Sequence, residues 1–375
     1  MAKPKVLLDE LFMLRSVACL SILLLHCIDR IYDDAGSGLH MFTVLLTFGT
    51  PTFVLISELI LSRSYPERTP KRFWAKRLQF LLLPYVLFGV FYAAMKAAEQ
   101  SVSDGTAFVP LFRDLALRHV LLGDYHGYFI IIIFQFYLLH MLFQRVIAKL
   151  HPAFVLIGAL LIQELYLAFF NFTSPMDIPN AAYIWDKGYW LPCLGWLFYF
   201  TVAYYCGRQY DKIKMWLRSR TLTLGLLTIA AAALPAGLLA NGTLLAESSK
   251  RFDMLPFTLV AAAFVLSVAL RLKRVPSPFV WISRYSFGIY LFHPLYLAFL
   301  IVAVKKVPVL AHNVLGVVFL FAVTLPLSVF SLYVLNKVSW GPYLVGKVGI
   351  GRDGEEKRKK TFDTIHNVSY DSGKV

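Results

Sequence analysis

Arg15 and His26 stand eleven positions apart inside the first long apolar run, LFMLRSVACLSILLLHCI. An α-helix turns about 100° per residue, so eleven steps leave an offset of only about 20°. The two side chains share a face, roughly 16 Å apart along the axis, which is about half the hydrocarbon thickness of a bilayer. A cation near one membrane face and an imidazole near the other suggest chemistry that works across the bilayer. Histidine exchanges protons near neutrality, and an ionisable residue inside a membrane is a functional candidate by default. Asp29 follows His26 by about one turn, and Asp33 comes one turn later. A carboxylate at i+3 could hold the imidazole in the tautomer that a general base needs. Alternatively, His26 is an interfacial residue paired with Asp29.

Other polar residues recur at membrane depth. Glu58, in ISELIL, should lie at the level of Arg15. Two readings are open. The pair is a structural ion bridge, or Arg15 is an anion site for phosphate or carboxylate with Glu58 orienting its planar fork. The loop RSYPERTPKRFWAKR is dense in cations. Most of these fix topology and meet anionic lipid, while Arg72, Lys76 and Arg77 at the mouth of the third span could meet a phosphorylated ligand. His126 stands in GDYHGYF before the fourth span, and His293 lies in mid-span, followed by Pro294. Glu164 is a further buried acid. Each of these three is either functional or a satisfied core residue. No nucleotide-binding loop, paired metal-ligand motif or serine-hydrolase elbow is present.

These residues need membrane helices to position them. Of 375 residues, 58% are hydrophobic and 16% charged, against about 25% charged in a soluble domain. The chain reads as an all-α polytopic membrane protein with ten spans: 8–29, 41–61, 78–98, 128–144, 153–170, 190–206, 221–240, 254–270, 282–304 and 312–335. The first is expected to be a retained span, not a signal peptide. The net charge of +15 falls in short clusters between apolar runs, which is a topology signal and not a nucleic-acid footprint. Segments on the side of the N-terminus carry 19 Lys and Arg before the tail, and those on the other side 9. Both termini are therefore expected in the cytoplasm of a multi-pass cell-membrane protein. The segment FVPLFRDLALRHVLLGDYHG reads as an amphipathic helix at the outer surface. Residues 336–375 read as a basic cytoplasmic tail. The four cysteines fall within spans and form no disulfide framework. The sequons at Asn171, Asn241 and Asn367 read as chance matches.

The R-x10-H pair, the basic loop before LLLPY, the segment HGYFIIIIFQFYLL and the segment SRYSFGIYLFHPL together resemble the membrane acyltransferase-3 family. The likeness covers residues 7–335. It is greatest to the branch containing the intercellular adhesion protein C of biofilm polysaccharide systems, through KRLQFLLLPY and HGYFIIIIFQFYLL. The resemblance implies a ten-helix domain, residues 1–335, that moves acyl groups to extracytoplasmic acceptors. It gives His26 the catalytic position and Arg15 that of its paired arginine. His126 matches the histidine before the fourth span, where the family commonly has His-Leu-Trp and this chain has Gly127 and Tyr128. Tyr290 and His293 match the late Tyr-Leu-x-His. The family's R-x-x-R after span two is not intact here, and Arg72 or Lys76 stands in its place.

The resemblance implies O-acyl transfer to a sugar hydroxyl. Acyl-coenzyme A would enter as the donor from the cytoplasm, with no permanently bound cofactor and no metal. Its phosphates would meet Arg72, Lys76 and Arg77, with Glu58 and Arg15 deeper. A polysaccharide or glycan acceptor would approach from outside, near His126, Tyr128, Tyr290 and His293. His26 would take the hydroxyl proton, supported by Asp29. Direct attack and a covalent acyl-histidine are both open. The rival from another class is a polysaccharide exporter or flippase. The 20 Tyr and 7 Trp could supply stacking surfaces, but no internal repeat accompanies them. A weaker third reading is a small-molecule permease.

Overall fold

A computed structural model describes residues 8–32, 37–145 and 147–348. Asp33, Asn367 and the tail from residue 349 onward lie outside the described residues. Among the described residues sixteen α-helices follow one another: α1 (Asp9–Ile31), α2 (Ser37–Leu46), α3 (Gly49–Ser64), α4 (Phe73–Arg77), α5 (Leu83–Asp104), α6 (Phe108–Leu122), α7 (Phe129–Arg145), α8 (Pro152–Phe172), α9 (Ala181–Asp186), α10 (Leu197–Arg208), α11 (Tyr210–Ser219), α12 (Thr221–Ala240), α13 (Met254–Arg271), α14 (Ser277–Val304), α15 (Val314–Leu335) and α16 (Gly341–Val345). No strand occurs among the described residues. A chain in hydrocarbon must satisfy its backbone internally, and helices do so segment by segment. Nine helical stretches among the described residues are long and apolar enough to cross a membrane. The protein is an all-α, multi-pass membrane protein.

α1 is the central post. It packs against α14, α3, α13, α15 and α2. Ser16 Oγ donates to Phe279 O, and further along His26 stacks on His293, so α1 and α14 run parallel. Gly49 lets α3 start tightly against α1, because a Cβ there would lie 2.5 Å from Ser21 Oγ and 2.6 Å from Ala18 O. Small residues permit such close helix approach in membranes. By contrast, α8 and α12 bury few residues against the bundle and turn most of their apolar surface outward, as lipid-facing helices do.

Three departures from the expected layout have physical causes. The span expected at 190–206 is a broken helix: 3-10 turns at Gly188–Trp190 and Cys193–Trp196 lead into the 12-residue α10. Pro192 and two glycines interrupt the ladder, and side-chain amides replace the missing bonds. Gln135 Oε1 accepts from Cys193 N (3.0 Å), and Gln163 Oε1 accepts from Phe198 N (2.9 Å). The amphipathic helix expected at the surface is α6. It folds back along α5, where Tyr85 Oη donates to His119 O (2.7 Å) and Val120 O (2.9 Å). Finally, the first part of the expected tail belongs to the bundle, since α16 packs on α5 and on the π-helical turn Leu78–Leu82 that precedes it. That wide turn lies just before Pro84, which has no N–H to donate.

Candidate active site

On α1, Phe12, Arg15, Cys19, Ile22, His26 and Asp29 recur every three or four residues, and all six line one cavity of about 1150 Å³. The shared face of Arg15 and His26 is therefore the wall of a chamber. Arg72, Lys76, Arg77, His126, Tyr128, Tyr290 and His293 line the same chamber.

At the His26 end three imidazoles gather from three elements. His26 and His293 stack with ring centroids 5.2 Å apart, and His126 meets His293 edge-on at 5.8 Å. Asp29 Oδ2 lies 3.4 Å from His26 Nδ1. This contact favours a proton on Nδ1 and leaves Nε2 able to accept one. His293 Nδ1 lies 3.0 Å from Ile289 O. A carbonyl only accepts, so that nitrogen carries the proton. The Nε2 atoms of His293 and His126 are buried without a hydrogen-bond partner among the described residues. Buried polar atoms are normally paired, so two imidazole nitrogens stand ready for a ligand.

The local backbone explains this gathering. Pro294 lies inside α14 and removes one donor from its ladder. Nearby, Leu291 O accepts from Tyr92 Oη at 2.8 Å. Tyr290 Oη donates to His126 O and pins the 3-10 turn His126–Tyr128 against α14. Gly127 is required there, because a Cβ would lie 2.1 Å from Tyr125 Cζ. Its departure from His-Leu-Trp thus has a steric cause: the Tyr125 ring fills the space.

The Arg15 end is cationic. Arg77 lies over the rings of Phe73 (5.1 Å) and Tyr137 (5.0 Å), and Tyr137 is within electrostatic reach of Arg15 as well. Arg15 has no carboxylate within ion-pair distance among the described residues. Glu58 is not its partner. That acid is 2% exposed, lies outside the cavity wall, and meets His140 Nδ1 at 2.7 Å. Gln144 Nε2 meets His140 Nε2 at 2.9 Å and fixes the tautomer. Glu58 is bound to His140 of α7 and does not serve Arg15. Glu164 also lies off the cavity, beside Gln163. Asn171 bonds Lys250 O (3.2 Å) and Phe252 N (3.0 Å), which is a structural use of that sequon.

Several cavity residues escaped sequence reasoning. Arg284 and Lys347 add two cations to the wall. Arg284, Phe287, Tyr290 and His293 step by three along α14, and that stripe was the available signal. No pattern announced Lys347, which reaches the wall because residues 346–348 fold beside Phe287 and Phe80. At the His26 end Asp124 pairs with Lys187 at 3.0 Å, Glu247 with His40 at 3.2 Å, and Lys250 is buried among aromatic rings. The three acids on the cavity wall, Asp29, Asp124 and Glu247, are all at the His26 end. The two ends differ: the Arg15 end carries cations with no acid on its wall among the described residues, while imidazoles and carboxylates gather with Lys187 and Lys250 at the His26 end. Such a site can hold a phosphorylated group at the first end and move a proton at the second.

The sequence matches the acyltransferase-3 family, described as "Acyltransferase domain", over residues 8–333. A protein of Bacillus subtilis (strain 168), named "Putative membrane-bound acyltransferase YfiQ", is 33% identical over 348 residues, covering 91% of this chain and 95% of that one. Proteins named "Probable poly-beta-1,6-N-acetyl-D-glucosamine export protein" are also similar. One from Staphylococcus aureus (strain Mu50 / ATCC 700699) is 28% identical over 77% of this chain and 82% of its own. One from Staphylococcus epidermidis is 27% identical over 77% and 81%. No solved structure matches. With a profile match across nearly the whole bundle, and the R-x10-H pair on the wall of its chamber, the chain belongs to the acyltransferase-3 family and is a multi-pass membrane acyltransferase.

Proposed function

We propose that the protein carries an acyl group from a cytoplasmic acyl-coenzyme A to a hydroxyl of an extracytoplasmic polysaccharide. The observation that carries this reading is the single cavity shared by Arg15 and His26, cationic at one end and histidine-lined at the other. The phosphates of the donor would meet Arg72, Lys76, Arg77, Arg284 and Lys347, and Arg15 would guide the thioester arm inward. The sugar would enter at the His26 end, near His126, Tyr128, Tyr290 and His293. His26 Nε2 would take the hydroxyl proton as the sugar oxygen attacks the acyl carbon, and Asp29 would balance the imidazolium. The thiolate of coenzyme A leaves and takes up a proton. Both termini would face the cytoplasm, in keeping with the positive charge of that side.

The test is ester content on surface glycan, by mass, in cells making wild-type or His26→Ala protein at matched levels. Loss of ester with normal polymer is expected. The names of the export-protein relatives keep a second reading in view: loss of polymer with unchanged ester would replace transfer by export.

A further inference from the structure

We propose that Lys250 is a substrate-binding residue that recognises a carboxylate carried by one of the two substrates in the chamber. The proposal rests on the reading of this cavity as the place where donor and acceptor meet. Lys250 is 7% exposed and lines the cavity. Its ammonium lies 3.9 Å from the Trp190 ring centroid, 4.8 Å from that of Tyr128 and 5.9 Å from that of Trp196. It donates one hydrogen bond, to Tyr128 Oη at 2.8 Å. An ammonium has three donors. No carboxylate lies within ion-pair distance among the described residues, although a buried charge normally demands one.

The surrounding carboxylates are engaged elsewhere. Asp124 is held by Lys187, Glu247 by His40, and Asp253 by Arg251. Glu164, on the neighbouring α8, meets Gln163. The aromatic rings compensate part of the charge, and two N–H donors remain for a ligand.

The segment that presents Lys250 is built to hold it. Arg251, fully buried, grips both oxygens of Asp253 (2.9 and 2.6 Å) and donates to Leu244 O (2.9 Å) and Ala246 O (3.2 Å). Asn171 of α8 clamps the backbone on both sides of Arg251. Ser248 Oγ accepts from Lys250 N at 3.1 Å. Burial lowers the Lys250 pKa to about 7. The ammonium form thus predominates below about pH 7, where a carboxylate binds best, and the attraction fades as the pH rises through 7. An arriving carboxylate would draw a proton onto the amine.

The carboxylate could belong to the acyl group or to an acidic sugar, and binding measurements separate the two. The full chain is placed in lipid nanodiscs at pH 6.5, and tryptophan fluorescence reads binding of two matched pairs. The first pair is acetyl-coenzyme A and succinyl-coenzyme A. The second is chitotetraose and a tetrasaccharide with glucuronic acid at alternate positions. In one pair the acidic member should bind about tenfold tighter or more, the size of one charge-assisted hydrogen bond. In Lys250→Met that ratio should fall to one while the neutral member binds as before. The pair that responds names the source. Lys250→Arg should keep the ratio at pH 8.5, where the wild type loses it. If Lys250→Met weakens both members equally, or if neither pair shows a Lys250-dependent ratio, the proposal is overturned. Binding is read without turnover, so a protein that discriminates but transfers nothing would sink acyl transfer and leave this assignment standing.

Discussion

At the residue scale, the proposed mechanism divides the work of the chamber between a base and an anion grip. His26→Ala should lower acyl transfer by about 10²–10⁴-fold while the protein still inserts, because His293 Nδ1 keeps its bond to Ile289 O and the His126 turn keeps its bond from Tyr290 Oη. Asp29→Asn should cost less, since an amide can hold the ring but not balance its charge. Single-turnover assays on purified protein would read both, and transfer at the wild-type rate in His26→Ala would remove the proposed base. Arg15→Lys should also impair transfer, because a point-charge ammonium does not reproduce a planar fork. Much of this was legible in the sequence. Helical arithmetic placed Arg15 and His26 on one face, and that face is the cavity wall. Spacing along one helix is a local property and survives folding. Glu58 was different: depth on two helices says nothing of rotation, and His140, not Arg15, received its carboxylate. Lys250 was invisible as more than a loop cation, because its aromatic cage is assembled from two segments distant in sequence, one with Tyr128 and one with Trp190 and Trp196.

At the element scale, hydropathy located the long helices well, because lipid imposes a minimum length and composition on each. It did not foresee the break before α10. There an apolar run is interrupted by backbone that leaves its ladder, and the compensating acceptors stand on other helices. Gln163 is fully buried and accepts from Phe198 N. Gln163→Leu would keep the volume and strand that donor. Thermal unfolding in detergent should show a loss of about 1–3 kcal/mol, the cost of one buried unsatisfied group. Gln163→Glu keeps an acceptor and should lose less on that count, although it adds a charge to desolvate. Unchanged stability in Gln163→Leu would mean that water or another group supports the break. Gly127→Ala should be costly for a different reason. The Tyr125 ring must move, and with it the turn that carries His126. Transfer should therefore fall together with stability.

At the scale of the whole molecule, the question is whether the two ends of the chamber work as one device. The proposed orientation makes Gly105 and Ser174 accessible to a membrane-impermeant thiol reagent after cysteine substitution in intact cells, and Thr69 and Ser219 inaccessible. The opposite labelling would invert the donor and acceptor sides. Continuity of the chamber has its own test, and α1 supplies it. Ile22 lies on the cavity-lining stripe between Cys19 and His26, and it is half-buried. Ile22→Trp would add an indole to the passage without removing a charge or an imidazole. On the proposed reading the cationic end should still bind acyl-coenzyme A with little change in Kd, because the phosphates would stop short of that point. The thioester carbon, however, would have to pass Ile22 to come within reach of His26. Reacting atoms need to approach to roughly 3–3.5 Å, so a blocked passage should lower kcat steeply while donor binding persists. Equal losses of binding and turnover would point to general misfolding, which the thermal midpoint would reveal. Full turnover in Ile22→Trp would show that the acyl group reaches the acceptor by another route, and that Arg15 and His26 share a wall without sharing a reaction.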